Sequence, residues 1–372
     1  MVGVYIHFPF CRQRCYYCDF YSQTDTSLMQ QYLFSLENQI EGFSGDNIDT
    51  IYIGGGTPSL LTPEQLHRLL DALNRKFRFS GYAEITLEIN PESSDYSKLK
   101  GYRDSGINRL SVGVQTVNNS TLNAIGRNSS RQQIEQTLTH AAEAGFVNVA
   151  ADIIIGLPDE GVESIEDSIE TIHRYNVKHI SAYILKVSEG TKLWDKREGL
   201  ADDDTTADLY CYAAGLLESY GYLQYEVSNF AYDSYQSRHN LKYWNCDDYF
   251  GLGAGAYSSI DNKRYYCEAD IHRYLECFTT PSDSWDKGYI YDGTVGWDDF
   301  LILQLRTTAG LSLDSLKERF RYTLNDRMSE LINRYIEAEY MVKEGNYIRM
   351  TRKGLLVSNE ILSSLLLAAE QN

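Results

Sequence analysis

Apolar and polar stretches follow one another along the first half of the chain with a repeat of roughly 30 residues, the length of a strand–helix unit. Runs at 4–7, 50–53, 83–89, 109–114, 147–155 and 179–185 hold the β-branched and aromatic residues that strands favour. Between them, 30–41, 63–77, 97–105, 120–125, 131–144 and 162–175 space their apolar residues at helical intervals. Gly106 and Gly145 stand where two of these helices stop. Six strands alternating with helices predict a parallel sheet with right-handed crossovers. Such a sheet offers its ligands the C-terminal strand ends and the loops that follow them. Near residue 294 the pattern changes. Helices at 298–306, 312–320 and 324–339 precede Gly345-Asn346, a two-residue hairpin signal between 340–342 and 347–350. That order predicts a smaller α+β, winged-helix-like unit. The expected division is 1–230 for the core, 231–293 for an extension and 294–372 for the C-terminal unit.

Composition narrows the function. The 372 residues are 43% hydrophobic, enough for one large domain and a smaller one. No apolar run approaches the ~18 residues of a membrane span. The start, MVGVYIHF, has no basic region ahead of a long apolar stretch, so no secretory signal is expected and the cytoplasm is the expected compartment. A net charge of −18 argues against nucleic acid as the partner, for the winged-helix-like unit included. Thirty tyrosines are spread too evenly to suggest a joint role.

Candidate chemistry concentrates after the first strand. Cys11, Cys15 and Cys18 have the spacing C-x3-C-x2-C, and soft thiolates so placed suit an iron–sulfur cluster. A zinc knuckle or three buried free thiols are the plainer alternatives, but a closed zinc site needs four ligands, and Phe20 occupies the place where a fourth cysteine could follow. Cys211, Cys246, Cys267 and Cys277 are scattered, as packing thiols are. Gly54-Gly55-Gly56-Thr57-Pro58 follows the second strand and lets a ligand approach the backbone. No Gly-Lys-Ser/Thr follows, so it is not a P-loop. Glu88 and Gln115 end the third and fourth strands, and Arg127 follows the next helix; taken singly these are ordinary surface or capping groups. Asp152 is more informative, because a carboxylate inside the apolar run AADIIIGLP is costly unless paired or bound to a ligand. Gly251–Ala256 (GLGAGA) lacks the strand and acidic residue of a dinucleotide site and reads as close packing.

The cysteine spacing resembles the radical S-adenosylmethionine (SAM) proteins. YIHFPFCRQRCYYCDF, IGGGTPSLL, LEINPE, INRLSVGVQ, IGRN and DIIIGLP are together similar to the successive motifs of the HemN/HemW family, over essentially the whole chain. That family comprises oxygen-independent coproporphyrinogen III oxidases and a related heme chaperone. The resemblance implies a partial (β/α)6, TIM-like barrel with a [4Fe–4S] cluster held by Cys11, Cys15 and Cys18. Its open iron would bind the amino and carboxylate groups of SAM. By the same resemblance Tyr5 and Tyr17 line the cluster and the methionine end, and Gly55, Gly56 and Thr57 contact the amino-acid group. Glu88, Gln115, Arg127 and Asp152 contact the rest of SAM. His7 reads equally as a satisfied strand histidine and as a residue near the cluster.

Three features point to the chaperone branch. Phe20 stands where the oxidases resemble C-x3-C-x2-C-x-C, only four residues precede Tyr5, and 239–244 reads HNxxYW. Neutral imidazole is a good heme ligand, and Tyr243 and Trp244 could flank a flat macrocycle, so His239, Tyr243 and Trp244 are the expected heme-associated residues. The alternative is a structural turn with His239 bonded to backbone and Trp244 in the core. The resemblance implies heme, heme-acceptor proteins (membrane respiratory enzymes among them) and a homodimer as partners. The competing expectation is an oxidase that decarboxylates the two propionates of coproporphyrinogen III. A tRNA- or protein-modifying radical SAM enzyme fits the cysteines but not the later motifs.

Overall fold

The computed structural model describes residues 1–370. Strand and helix alternate from the start: β1 (Val2–Phe8), α1 (Met29–Ile40), β2 (Asn47–Gly55), α2 (Pro63–Lys76), β3 (Arg78–Ile89), α3 (Tyr96–Asp104), β4 (Arg109–Gln115), α4 (Asn119–Ala124), α5 (Arg131–Glu143), β5 (Asn148–Ile155), α6 (Val162–Arg174) and β6 (His179–Ile184). Neighbours from β1 to β6 pair in parallel, in chain order. The helices start where capping side chains stand. Thr62 and Gln65 cap α2 reciprocally, with Pro63 in its first turn, and Ser130 and Gln133 do the same for α5.

The strands alternate between an apolar face and a largely polar one, with Ile154 as an apolar member of the second. Val4, Ile6 and Phe8, then Ile51 and Ile53, Leu87 and Ile89, Leu110 and Val112, and Ile153 and Ile155 are buried on the outward face. The helices cover that face. The inward face carries Thr50, Tyr52, Glu84, Glu88, Arg109, Ser111, Asp152, His179 and Tyr183. Burial, with the nearby carboxylates of Glu88 and Asp152, raises Tyr52, and burial, with Arg109, lowers His179, so side chains of β2 through β6 share one polar interior. This is the partial (β/α)6 barrel expected, and its centre is polar.

After β6 the chain adds elements that the sequence pattern did not announce. α7 (Asp203–Ser219) leads to β7 (Leu223–Gln224) and β8 (Asn229–Ala231), and β8 runs antiparallel to β6. α8 (Arg238–Trp244) follows, then β9 (Tyr249–Leu252), which pairs in parallel with the free side of β1. β10 (Tyr257–Ile260), β11 (Lys263–Cys267), α9 (Ile271–Cys277) and β12 (Tyr289–Thr294) complete a twelve-stranded sheet, ordered β12-β11-β10-β9-β1-β2-β3-β4-β5-β6-β8-β7. In the glycine run, a Cβ at Gly251 would meet the Tyr257 carbonyl oxygen at 1.9 Å, so close packing is what these glycines serve.

α10 (Trp297–Gln304), β13 (Leu311–Ser312), α11 (Leu313–Phe320), α12 (Asp326–Glu337), β14 (Met341–Glu344), β15 (Tyr347–Met350), α13 (Arg352–Leu356) and α14 (Ser358–Glu370) form an α+β unit with its own core and a β13-β15-β14 sheet. It docks beside α8: Gln304 donates to the Trp244 carbonyl at 2.9 Å, and Arg319 to those of Asn245 and Cys246 at 2.6 and 2.8 Å. Among the described residues no helix is long and apolar enough to cross a membrane.

Candidate functional site

A cavity of about 700 Å³ opens at the C-terminal ends of β1 to β6. Cys11, Cys15, Tyr17, Cys18, Gly55, Gly56, Thr57, Glu88, Gln115, Arg127 and Asp152 all line it. Eleven residues expected from sequence to serve one ligand set therefore meet in one place.

The cysteine loop is tied down at several points. The Cys11 amide donates to Gln23 O at 2.9 Å, Tyr16 N to Ile125 O at 2.9 Å and Cys18 N to Cys15 O at 3.2 Å. The Thr57 hydroxyl donates to Cys11 Sγ at 3.4 Å, and Arg127 Nη1 to Cys15 Sγ at 3.7 Å. Burial pushes the Cys18 thiol up to about 11 and raises Cys11 as well. Among the described residues no three His, Cys, Asp or Glu side chains converge on a point able to hold a single ion. Cys11, Cys15 and Cys18 all line the one cavity, and thiolates are the ligands iron–sulfur clusters take.

The glycine loop has spent its donors. Gly55, at φ +106, gives its N–H to Glu88 Oε2 at 3.0 Å. Gly56 N donates to Phe8 O and Thr57 N to Phe10 O, both at 2.8 Å. With its donors engaged, the loop suits a ligand's ammonium group, which needs acceptors, better than an anion. Arg127 supplies the complement. It is buried, and its Nε has no partner, an unspent donor on a cation lining the cavity. A carboxylate satisfies it. An amino acid's two charged ends thus have counterparts here, so the residues present fit SAM beside a cluster. A cluster held there would supply single electrons to SAM bound beside it.

The cavity floor is acidic. Glu88 accepts from Tyr52 Oη at 2.8 Å as well as from Gly55, and burial, helped by nearby Asp152, pushes it to about 7. Asp152 accepts from Ser111 Oγ at 3.2 Å, and burial raises it too. Gln115 is held at φ +66, where β4 shifts register against β5. Non-glycine residues rarely adopt that conformation, and such strain gathers at ligand sites.

Four expected residues lie elsewhere. Tyr5 does not line the cavity; its hydroxyl turns to His7 Nδ1 at 2.9 Å. His7 Nε2 donates to Tyr21 O at 2.9 Å, so His7 is a satisfied histidine that also ties β1 to the cysteine loop. His239, Tyr243 and Trp244 lie on a seven-residue helix rather than a turn. Ser237 Oγ caps α8, and the Glu84 carboxylate accepts from the amides of Arg238 and His239. His239 is completely buried, with Thr50 Oγ1 at 2.8 Å from Nδ1 and Tyr243 Oη at 2.8 Å from Nε2. Neither nitrogen is free for a metal. Burial, helped by Lys242, lowers this imidazole to about 3. Trp244 is partly buried.

Sequence reasoning missed Tyr52, Asn90, Ser111 and Tyr183, all of which line the cavity. Strand parity could have found Tyr52 and Ser111. Ser111 is in register with Glu88 across β3 and β4, and Tyr52 lies two residues before Gly54 on β2.

Residues 5–172 match the family model described as the radical SAM superfamily, and 294–357 the one described as the HemN C-terminal domain. A curated relative from Lactococcus lactis named heme chaperone HemW is 32% identical over 98% of this chain and 97% of its own. The Bacillus subtilis protein of that name is 32% identical over 98% and 99%. Among solved structures, coproporphyrinogen III oxidase (HemN) from Escherichia coli superposes with a TM-score of 0.84 at 22% identity, covering 98% of this chain and 89% of that one. This last is a likeness of fold. Fold and cavity together define a radical SAM protein. Within that class the chain belongs to the HemN/HemW family.

Proposed function

We propose that this chain is a cytoplasmic heme chaperone, which binds heme alongside a [4Fe–4S] cluster and SAM and passes heme to acceptor hemoproteins. The observation that carries this reading is the match to proteins named heme chaperone HemW along nearly the full length of both chains. Phe20 supports it: at the place of the oxidases' fourth cysteine, it stands 65% exposed on the cavity rim. In this reading Cys11, Cys15 and Cys18 hold the cluster. Tyr17, Gly55, Gly56, Thr57, Glu88, Gln115, Arg127 and Asp152 surround SAM, and Tyr5 acts from behind them through His7. The divisions at 1–230, 231–293 and 294–372 and a homodimer belong to the same proposal. His239 reaches heme iron only if α8 leaves the interior and its bonds to Thr50 and Tyr243 break. Heme binding through this motif is then coupled to opening of the barrel.

The test is anaerobic heme titration of the cluster-loaded protein, with and without SAM, on wild type and His239→Ala. A Soret band at micromolar heme is expected for wild type, and its absence overturns the proposal. Protoporphyrinogen formed from coproporphyrinogen III in the same preparation turns the reading to the oxidase.

A further inference from the structure

Asn90 directly follows β3 on the cavity lining and belongs to none of the roles assigned above. Its backbone is fixed on both sides. Its N–H donates to Ser59 Oγ at 3.0 Å, and its carbonyl accepts from Ser93 and Ser94 hydroxyls at 3.0 Å each. Pro91 follows and holds Asn90 in extended backbone. The side chain spans two residues that each touch a cluster cysteine. Oδ1 lies 3.0 Å from Arg127 Nη2, and Nδ2 lies 3.2 Å from Thr57 Oγ1. Gly113 leaves the necessary room, since a Cβ there would come within 3.0 Å of both Arg127 Nη2 and Asn90 Oδ1.

The direction of every bond in this bridge follows from Arg127. A guanidinium donates and never accepts, so the Asn90 atom facing it is the amide oxygen. That turns the Asn90 NH₂ toward Thr57, whose oxygen must accept. The Thr57 hydroxyl proton is then left for Cys11 Sγ, 3.4 Å away. The other arm of Arg127 points at Cys15 Sγ, 3.7 Å away. Cys18 Sγ takes the backbone N–H of Phe20 instead. The amide therefore sets the direction of the Thr57 bond to Cys11 and holds one arm of the guanidinium whose other arm donates to Cys15.

We infer that Asn90 is a positioning residue for the cluster: by holding Arg127 and orienting the Thr57 hydroxyl, it directs donors onto Cys15 and Cys11 and raises the reduction potential of the cluster they carry. Hydrogen bonds to ligand sulfur stabilise the added electron, which is how proteins tune such centres. The inference rests on the cluster being resident at these cysteines and is independent of the heme reading.

The experiment is an anaerobic redox titration of the reconstituted protein, followed by electron paramagnetic resonance, with iron and sulfide content measured alongside. Asn90→Ala is expected to retain the cluster and to lower its one-electron reduction constant about tenfold, 59 mV at n = 1. Thr57→Val, which removes the donor to Cys11 and the acceptor of the Asn90 NH₂ but leaves Arg127 on Asn90 Oδ1, is expected to lower it about threefold. The double variant is expected to lie no lower than Asn90→Ala alone, because Asn90 acts on Cys11 through Thr57. Less than a twofold change in Asn90→Ala, or independent effects that multiply in the double variant, overturns the inference. If Asn90→Ala fails to assemble a cluster, Thr57→Val decides: an unchanged potential there overturns it. A wild type that takes up no iron overturns the cluster reading and this inference together, and intact cluster without a Soret band overturns the heme reading alone.

Discussion

Replacing Glu88 by glutamine tests whether the cavity floor holds a strained carboxylate. Burial, with Asp152 adding to it, raises Glu88 from an ordinary 4.5 to about 7. Below about 4.5 the carboxyl is protonated in both folded and unfolded chains, and it costs the fold nothing. As the pH rises toward 7, the unfolded chain ionises while the folded one holds its proton, so stability is lost. Above 7 the loss is complete. At 1.36 kcal/mol per pH unit it amounts to about 3 kcal/mol, and water at the cavity-facing edge trims that to about 2. Glutamine carries no charge but offers Tyr52 and Gly55 one oxygen in place of two, a cost of about 1 kcal/mol. Glu88→Gln is therefore expected to be less stable than wild type by about 1 kcal/mol at pH 4 and by about half of that at pH 5, and more stable by about 1 kcal/mol at pH 8. The assay is urea unfolding of the reduced, cluster-free protein, followed by circular dichroism at intervals between these values. Glu160 and Glu226 are also raised to about 7 by burial, but they are common to both proteins and cancel in the difference. A difference that stays constant from pH 5 to 8 would refute the reasoning.

Gly55→Ala forces an alanine to φ +106 and brings its Cβ within 2.5 Å of the His7 ring, so a loss of about 3 kcal/mol is expected in the same unfolding assay. His239→Ala empties a fully buried position and strands the Thr50 and Tyr243 hydroxyls, at a cost of about 3 kcal/mol at pH 7. Because burial lowers His239 from 6.5 to about 3, its unfolded form binds protons that the folded form refuses, and wild type loses stability as pH falls below 6.5. The gap between His239→Ala and wild type should therefore narrow by about 2 kcal/mol between pH 7 and pH 5, and a gap that widens contradicts the buried, neutral imidazole.

The half of the fold that was legible in the sequence is the half with strong local signals. Thr62-Pro63 and Ser130 begin helices because capping is written in adjacent residues, and the outward faces of β1 to β6 alternate cleanly. The sheet beyond β1 was not legible. β9 is four residues long and pairs with a strand far from it in sequence, and β10 and β11 are short, with no apolar alternation to betray them. α8 hid in a motif whose residue types suggested chemistry, although Ser237 stood in place as its cap. The site divides the same way. Cysteine trios and glycine runs are rare enough to be noticed wherever they occur. Tyr52, Asn90 and Ser111 are ordinary residue types, and only the side of the strand they occupy distinguishes them.

The polar interior also explains how two distant motifs come to share one environment. The Tyr52 ring stacks on the His239 imidazole, with centroids 5.4 Å apart and planes 29° apart, while its hydroxyl donates to Glu88. Glu88 in turn holds the Gly55 amide at the ligand-facing loop. One tyrosine therefore bears on α8 at one end and on the cavity floor at the other. Withdrawing α8 would expose the Tyr52 face to water and remove the packing that fixes its hydroxyl, and the carboxylate would lose a donor that opposes its raised pKa. A single side chain thus joins the imidazole of α8 to the carboxylate that holds the ligand-facing loop.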